Sequence, residues 1–363
     1  MNDARIDGMT PKDFRRLKLG FLGVGWIGRN RMDAILQSGI AEATAICDPS
    51  PGMADEALKL APNAVLVPSL DDLLREELDG IVIATPSALH AQQAVAALDA
   101  GLAVFCQKPL GRTMEEAATV IEAARRADRL LSVDLSYRHT TGMRRIRDLI
   151  GESQLGRIFA VDLLFHNAYG PDKSWFYKKA LSGGGCVIDL GVHLVDLALW
   201  TLGFPEVRSI DANLFREGRA LQRGSSEVED FAVATLTLST GTVVRLSCSW
   251  QLQAGCDAII AASFYGDLGG AALRNVNGSF YDFVAEHYLG TRTQMLAEPP
   301  DAWGGRAAVD WAARVATGQT YDHQSEKLLA TAAVLDGIYG RTLEGLDPQA
   351  PKLVRISQST SGR

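Results

Sequence analysis

Apolar and polar positions along the first third of the chain change between two periods. Leu17 to Gly23 is a short apolar run of the kind a buried strand needs, and Trp26 to Gln37 then repeats its apolar residues at helical spacing. The exchange recurs with strands at Ala43 to Cys47, Ala64 to Val67, Gly80 to Ala84, Leu102 to Cys106 and Leu130 to Leu135. Helical stretches fall at Ser69 to Glu76, at Ser87 to Ala100, and from the capping residue Thr113 to about Asp128. Strands that alternate with helices predict a parallel, doubly wound α/β sheet, which binds ligands at the carboxyl ends of its strands. From Tyr137 the pattern changes: a basic helix at Gly142 to Ile150 precedes extended segments at Arg157 to Phe165, Val207 to Phe215, Val228 to Leu238, Thr242 to Gln251, Asp257 to Tyr265 and Ala271 to Val276. Their β-branched alternation predicts a second domain of α+β type with a mostly antiparallel sheet, closed by helices at about Gly304 to Thr317 and Glu326 to Leu343. The boundary falls near residues 136 to 142, giving domains of about 15–138 and 139–350.

The most apolar stretch lies inside the second half. Gly183 to Trp200 reads as one helix that Val187, Ile188, Leu190, Val192, Leu194, Val195, Leu197 and Leu199 cover on most sides. Asp189, His193, Asp196 and Trp200, spaced by four, three and four residues, form one polar stripe along it. A buried carboxylate and imidazole need partners, so the stripe faces either a structural polar network or a cleft. Trp250 and Phe264 fall in extended segments and read as sheet packing.

In the first half, candidate chemistry sits at strand ends. Gly23-Val24-Gly25-Trp26-Ile27-Gly28 follows a strand and opens a helix, the context in which a glycine fingerprint cradles a dinucleotide pyrophosphate. The first glycine permits the turn, the second lets phosphate approach the backbone, and the third lets helix and strand pack closely. Trp26 and Ile27 begin the helix, whose free N–H groups and dipole favour an anion. Asp48 ends the second strand twenty residues after Gly28, where a carboxylate accepts hydrogen bonds from the adenosine ribose. Pro49 to Gly52 offer no Arg or Lys for a 2′-phosphate, which favours NAD over NADP. Two further strand ends carry Thr85-Pro86-Ser87-Ala88-Leu89-His90 and Gln107-Lys108-Pro109. Lys108 is either a cation held beside a bound cofactor or an exposed loop lysine.

Composition narrows the field by exclusion. A length of 363 residues is long for one core, which agrees with two domains. The net charge of −7, with no basic cluster beyond short runs such as Arg125-Arg126 and Arg144-Arg145, argues against a nucleic-acid partner. Five cysteines, at 47, 106, 186, 248 and 256 and without a C-x-x-C pair, argue against a disulfide framework or a zinc knuckle, and no metal is expected. Met1 to Lys18 has no apolar core of a signal peptide, and no apolar run of membrane-spanning length is evident, so a cytoplasmic address without a membrane partner is expected.

With these residues assembled, the chain resembles the Gfo/Idh/MocA oxidoreductases, the family of glucose–fructose oxidoreductase and inositol dehydrogenase, over about residues 17 to 345. Four motifs carry the resemblance in the right order: Gly23 to Gly28, Thr-Pro-x-x-x-His at Thr85 to His90, Lys108-Pro109, and Gly-Gly-Gly-x-x-x-Asp-x-Gly-x-His-x-x-Asp at Gly183 to Asp196. It implies an N-terminal Rossmann domain and a C-terminal α+β domain whose large, mostly antiparallel open sheet serves homodimer or homotetramer contacts. It also implies nicotinamide-dependent oxidation or reduction of a sugar or cyclitol, with cofactor contacts extending to Thr85, Pro86, His90 and Gln107, and with Lys108, Asp189 and His193 in catalysis. Gln107 departs from the family, which usually has Glu there; the amide keeps the hydrogen-bonding shape and removes a charge beside Lys108. Tyr137, Arg138, His166, Asn167, Trp175 and Tyr177 fall in segments that either line the sugar pocket or pack and face solvent.

The reading is an NAD(H)-dependent dehydrogenase acting on a secondary hydroxyl of a sugar, sugar derivative or cyclitol. Lys108 would hydrogen-bond the reacting hydroxyl and His193 would exchange its proton. Asp189 would orient the imidazole and, if close enough to pair, favour its protonated form. A ketoreductase of sugar metabolism, an NAD-using glycosidase and a non-catalytic dinucleotide sensor are the alternatives, the last opposed by the retained Lys108, Asp189 and His193.

Overall fold

Six short strands, β1 (Leu17–Leu22), β2 (Ala41–Cys47), β3 (Val65–Leu66), β4 (Gly80–Ile83), β5 (Ala103–Cys106) and β6 (Leu131–Val133), lie parallel in the order β3-β2-β1-β4-β5-β6. The computed structural model describes residues 15–222 and 224–341. Helices α1 (Trp26–Gln37), α2 (Pro51–Leu58), α3 (Leu70–Leu73), α4 (Ser87–Asp99) and α5 (Met114–Ala127) make the crossovers. β4 and β5 are buried throughout, as continuous apolar runs in a sheet covered on both faces should be. The Thr113 hydroxyl accepts the Glu116 N–H and so caps α5, whose first turn holds Glu115 and Glu116 and whose last turn holds Arg125 and Arg126, in accord with the helix dipole. Helix α2 was not anticipated; it opens on Pro51, whose fixed φ and missing N–H suit a helix's first turn.

The second half builds a nine-stranded sheet in the order β15-β14-β13-β12-β7-β11-β10-β8-β9. Its strands are β7 (Ile158–Asn167), β8 (Val207–Arg216), β9 (Arg219–Ala220), β10 (Phe231–Leu238), β11 (Val243–Ser249), β12 (Ala258–Gly266), β13 (Gly270–Asn275), β14 (Phe283–Leu289) and β15 (Arg292–Ala297). All pairings are antiparallel except that of β7 with β11. One face packs against α6 (Thr141–Gly151), α8 (Val192–Thr201) and α10 (Leu328–Ile338). Among the described residues the other face is left uncovered at Leu164, Val233, Val243 and Tyr265. β14 and β15 go beyond the sequence expectation, which ended the sheet at Val276.

Two further expectations need correction. The helix expected at Gly304 to Thr317 is α9 (Arg306–Ala316), and it does not close the second domain. Ala307, Ala308, Trp311 and Ala312 instead join Leu19, Val82 and Phe105 in the core of the first sheet, with Trp311 5.8 Å from Phe105 between ring centroids. The chain therefore crosses the cleft and returns. Helix α10 ends at Ile338, and positions 342–350 of the expected helix and domain end lie outside the described residues, as do residues 1–14.

The stretch expected to be one helix from Gly183 to Trp200 is broken. A single turn, α7 (Lys179–Ser182), ends at Gly183 with φ +87°, a π-helical turn spans Val187–Gly191, and α8 follows. Close approaches explain the glycines: a Cβ on Gly185 would lie 1.8 Å from the Glu229 carbonyl oxygen, and one on Gly184 would lie 2.0 Å from the Tyr339 hydroxyl. Lys179–Thr201 is long and apolar enough by composition to cross a membrane, contrary to the sequence expectation, and it is mostly buried inside the fold.

Candidate active site

At the end of β1, two of the three fingerprint glycines are required by the chain itself. Gly23 has φ +83°, and a Cβ there would lie 2.6 Å from the Ala84 carbonyl oxygen; one on Gly28 would lie 2.2 Å from that of Gly23. Gly25 differs. Its φ is −58°, and a Cβ would meet nothing within 4 Å. The open space lies before the first turn of α1, where no side chain caps the free N–H groups, so the residues present fit a dinucleotide pyrophosphate. Trp26 beside it is 58% exposed, so its backbone and not its side chain is committed to the fold. Asp48 accepts the Val24 N–H at 2.7 Å with one oxygen and the Ser50 N–H at 2.8 Å with the other. This braces the loop and leaves lone pairs for ribose hydroxyls. Arg29 reaches Met53 from α1, Nη1 to Sδ 3.6 Å, so a cation does stand at this end of the site, although none follows Asp48 in sequence.

The other strand ends are fastened together by His90. Its buried ring nitrogens face two carbonyl oxygens, Nδ1 that of Pro109 and Nε2 that of Thr85, each at 2.7 Å. Burial pulls its pKa down although both carbonyls favour the protonated form. His90 thus ties the Thr85-Pro86 loop to the Lys108 loop. Lys108 Nζ donates to the carbonyl and to the carboxylate Oδ1 of Asp189, both at 2.7 Å. The other carboxylate oxygen of Asp189 accepts the Trp250 indole N–H at 3.1 Å. Glu229 sets the turn that carries Asp189, its Oε1 accepting from Gly185 N at 2.9 Å, Val187 N at 3.0 Å and the Tyr339 hydroxyl at 2.7 Å. Burial pushes this carboxyl's pKa up against those three donors. Sequence reasoning missed Trp250 and Glu229, since neither spacing nor motif marks a strand residue that bonds a distant helix.

The polar stripe divides at the π-helical turn. His193 is 8% exposed, its Nδ1 is buried without a partner among the described residues, and its ring stands edge-on to Tyr137 at 4.9 Å and 66°. Asp189 is bonded to Lys108 and Trp250 and makes no hydrogen bond to His193, which corrects the expected orienting role. The imidazole pKa lies well below its ordinary 6.5, first through burial and then through the Lys108 and Arg31 charges, so the expected shift toward the protonated form is also corrected. Asp196 and Trp200 turn away to a structural cluster: Arg138 Nε donates to Asp196 at 2.7 Å, and its guanidinium lies 5.8 Å over Trp200.

One cavity of about 1500 Å³ joins the two domains. It is lined by Gly23, Gly25, Trp26, Ile27, Gly28, Asp48, Thr85, Pro86, His90, Gln107, Lys108, Tyr137, Trp175, Asp189 and His193. His166, expected in the substrate pocket, is not among its walls. Phe165 takes the helix side of β7, so the pleat turns His166 to the outer face, where its Nδ1 meets the Ser249 hydroxyl at 2.8 Å and its ring stacks on Phe231. Tyr177 bonds the Pro171 carbonyl at 3.0 Å. Aromatic rings flank the catalytic candidates on two sides. Trp175 stacks on Phe176 at 3.8 Å, and Phe176 stands edge-on to Trp250; opposite, Trp303 lies 5.0 Å from Tyr137. Among the described residues no group of three His, Cys, Asp or Glu side chains could hold a metal ion.

Comparison with known proteins agrees with this geometry. Residues 17–135 match the oxidoreductase family with an NAD-binding Rossmann fold, and residues 143–272 match the Gfo/Idh/MocA C-terminal domain. The D-glucoside 3-dehydrogenase of Escherichia coli (strain K12) is 30% identical over 246 residues, covering 64% of this chain and 69% of the relative. The inositol 2-dehydrogenase of Rhodococcus erythropolis is 27% identical, over 90% of this chain and 99% of its own. Levoglucosan dehydrogenase in complex with NADH and levoglucosan has the same fold, with a TM-score of 0.77 and 22% identity over 90% of this chain and 97% of that one. A dinucleotide cradle, a cross-domain lysine and aspartate, and two matched domains in sequence place the chain in the Gfo/Idh/MocA family of oxidoreductases, to which it belongs.

Proposed function

We propose that the protein uses NAD(H) to oxidise a secondary hydroxyl of a sugar, sugar derivative or cyclitol. The observation that carries this reading is the Lys108–Asp189 pair, a cation of the glycine-loop domain locked to a carboxylate of the second domain inside the cavity that also holds His193. NAD, when bound, supplies the hydride acceptor. The chain's residues do the rest. Lys108 Nζ donates to the reacting oxygen and stabilises its developing negative charge, and Asp189, itself held by the Trp250 indole N–H, keeps the ammonium in place. His193, kept neutral by its surroundings, accepts the hydroxyl proton at Nε2, the nitrogen left once Nδ1 is buried. The rings of Trp175 and Tyr137 offer flat apolar surfaces to the C–H faces of a cyclic substrate. Relatives named for dehydrogenation of a glucoside and an inositol support a cyclic secondary alcohol.

NAD over NADP rests on the Asp48 carboxylate, which would repel a 2′-phosphate, against Arg29, which would attract one. A second copy of the chain would cover the open sheet face, where Leu164, Val233, Val243 and Tyr265 are exposed beside the Arg245–Asp162 pair; light scattering tests this directly. The five free cysteines fit a reducing compartment, hence the cytoplasm.

The test is a panel of cyclic polyols, glycosides and their keto forms, followed with both cofactors. NADH appearing with a cyclic secondary alcohol, at higher kcat/KM for NAD than for NADP, is the expected result. Turnover confined to ketones would make the protein a ketoreductase. Glycoside cleavage without net cofactor change would make it a glycosidase, and dinucleotide binding with no reaction would make it a sensor.

A further inference from the structure

Immediately before Lys108, Gln107 donates its side-chain amide N–H to Asp134 Oδ2, and the same oxygen accepts from Arg31 Nε at 2.6 Å. All three are buried: Gln107 is 9% exposed, Asp134 1% and Arg31 6%. The second Asp134 oxygen is buried with no partner among the described residues. The backbone holds the group rigidly, with Asp134 N–H on the Cys106 carbonyl at 2.9 Å and Gln107 N–H on that of Ile83 at 2.8 Å. Helix α1, the loop after β5 and the end of β6 thus meet on one carboxylate.

We propose that Asp134, paired with Arg31, is a positioning residue for the Lys108 loop, and that it requires a neutral amide at position 107. An amide N–H can face the buried carboxylate. A glutamate there would set a second carboxylate at hydrogen-bond distance from Asp134, and two carboxylates sharing one dry site cannot both ionise. Arg31 balances one negative charge and not two. The chain therefore carries the carboxylate of this part of the site on β6 instead of on the loop, and Gln107 links it to the backbone of Lys108. The other ionisable groups facing the cluster are Lys108 on the same loop, Cys106 on β5 and His193 on α8, whose pKa responds to Arg31 and Lys108.

The inference rests on the proposed activity only for its effect on turnover, so its test is read first without turnover. Q107E, D134N and the double variant are melted across about pH 5 to 9, and NADH is titrated by fluorescence over the same range. In Q107E the new carboxyl has its pKa raised in the folded state, so the stability it contributes is present at acid pH and is lost as pH rises from the unfolded to the folded pKa. Q107E should melt near the wild type at the acid end. It should fall below it at the alkaline end by roughly 3–5 °C per unit of pKa elevation, with NADH affinity falling in parallel. D134N alone leaves Arg31 buried and unpaired, and should lower Tm with no such pH dependence. The double variant exchanges donor for acceptor across the same contact and should recover most of the Tm and NADH affinity lost at alkaline pH. Wild-type melting of Q107E at every pH, or a double variant no better than the sum of its single changes, overturns the inference. Absence of turnover on every sugar would sink the proposed activity and leave these melts readable.

Discussion

The glycine loop permits a clean separation of folding from cofactor binding. A methyl at position 28 would lie 2.2 Å from the Gly23 carbonyl oxygen, whereas one at position 25 would meet nothing within 4 Å. Gly28→Ala therefore overpacks the turn, at a cost of about 1–3 kcal/mol, or roughly 2–10 °C in Tm for a chain of this class. Gly25 already has φ −58°, which alanine adopts without strain. Gly25→Ala should leave the Tm of the cofactor-free protein unchanged, or raise it slightly by restricting the unfolded chain. The same methyl would stand where the pyrophosphate approaches, and a clash of about 1–3 kcal/mol weakens NADH binding roughly 5- to 150-fold. Thermal melting without cofactor and a fluorescence titration with NADH measure the two effects separately. Normal NADH affinity in Gly25→Ala would refute the placement of the pyrophosphate; a lowered Tm in that variant would refute the open space itself.

Lys108→Met keeps much of the stem and removes the ammonium that Asp189 holds; NADH binding should survive while turnover falls roughly a hundredfold or more, and near-normal turnover would reduce Lys108 to a cross-domain tie. Because burial and two cations lower the His193 pKa, the neutral base persists to more acid pH, so the acid limb of kcat/KM for oxidation should lie below 6.5. His193→Asn should cost roughly a hundred- to ten-thousandfold in kcat and flatten that limb; a limb above the ordinary value, or one unmoved by the change, refutes the assignment. Trp250→Phe deletes a 3.1 Å hydrogen bond to the Asp189 carboxylate, which is 15% exposed, so water replaces part of it. Roughly a tenfold loss in kcat with NADH affinity retained is expected, and an unaltered kcat would leave Trp250 as sheet packing.

What could be read from the chain was what depends on near neighbours. β1, α1 and the glycine loop follow from a period and a six-residue motif, and Thr113 announced α5 through its own hydroxyl. β15 was not readable, because Arg292 to Gln294 on an exposed edge strand keep no apolar face. Nor was the destination of α9, an amphipathic helix whose apolar side would fit either domain until Trp311 is seen against Phe105. The Lys108–Asp189 bond joins residues 81 apart, and Trp250 reaches Asp189 across 61, separations at which spacing carries no information. His166 was misplaced for a local reason: one position along a pleated strand exchanges cavity side for outer face.

The broken helix explains how these roles come to be divided. On a regular α-helix Asp189 and His193 would stand one turn apart on one face, close enough for the carboxylate to favour a protonated imidazole. The π-helical turn, held at its start by Glu229 and admitted by Gly184 and Gly185, adds a residue to that turn and aims Asp189 at Lys108 in the other domain. The cation thereby takes the carboxylate for itself. His193 is left with burial and two positive neighbours, each of which favours its neutral form. A lysine paired with a carboxylate and an imidazole kept neutral by burial around one cavity are the pair that alcohol oxidation needs, one to stabilise negative charge on oxygen and one to receive the proton. Inserting or deleting one residue in Val187–Gly191 should therefore cost more activity than either side chain alone, because it moves both.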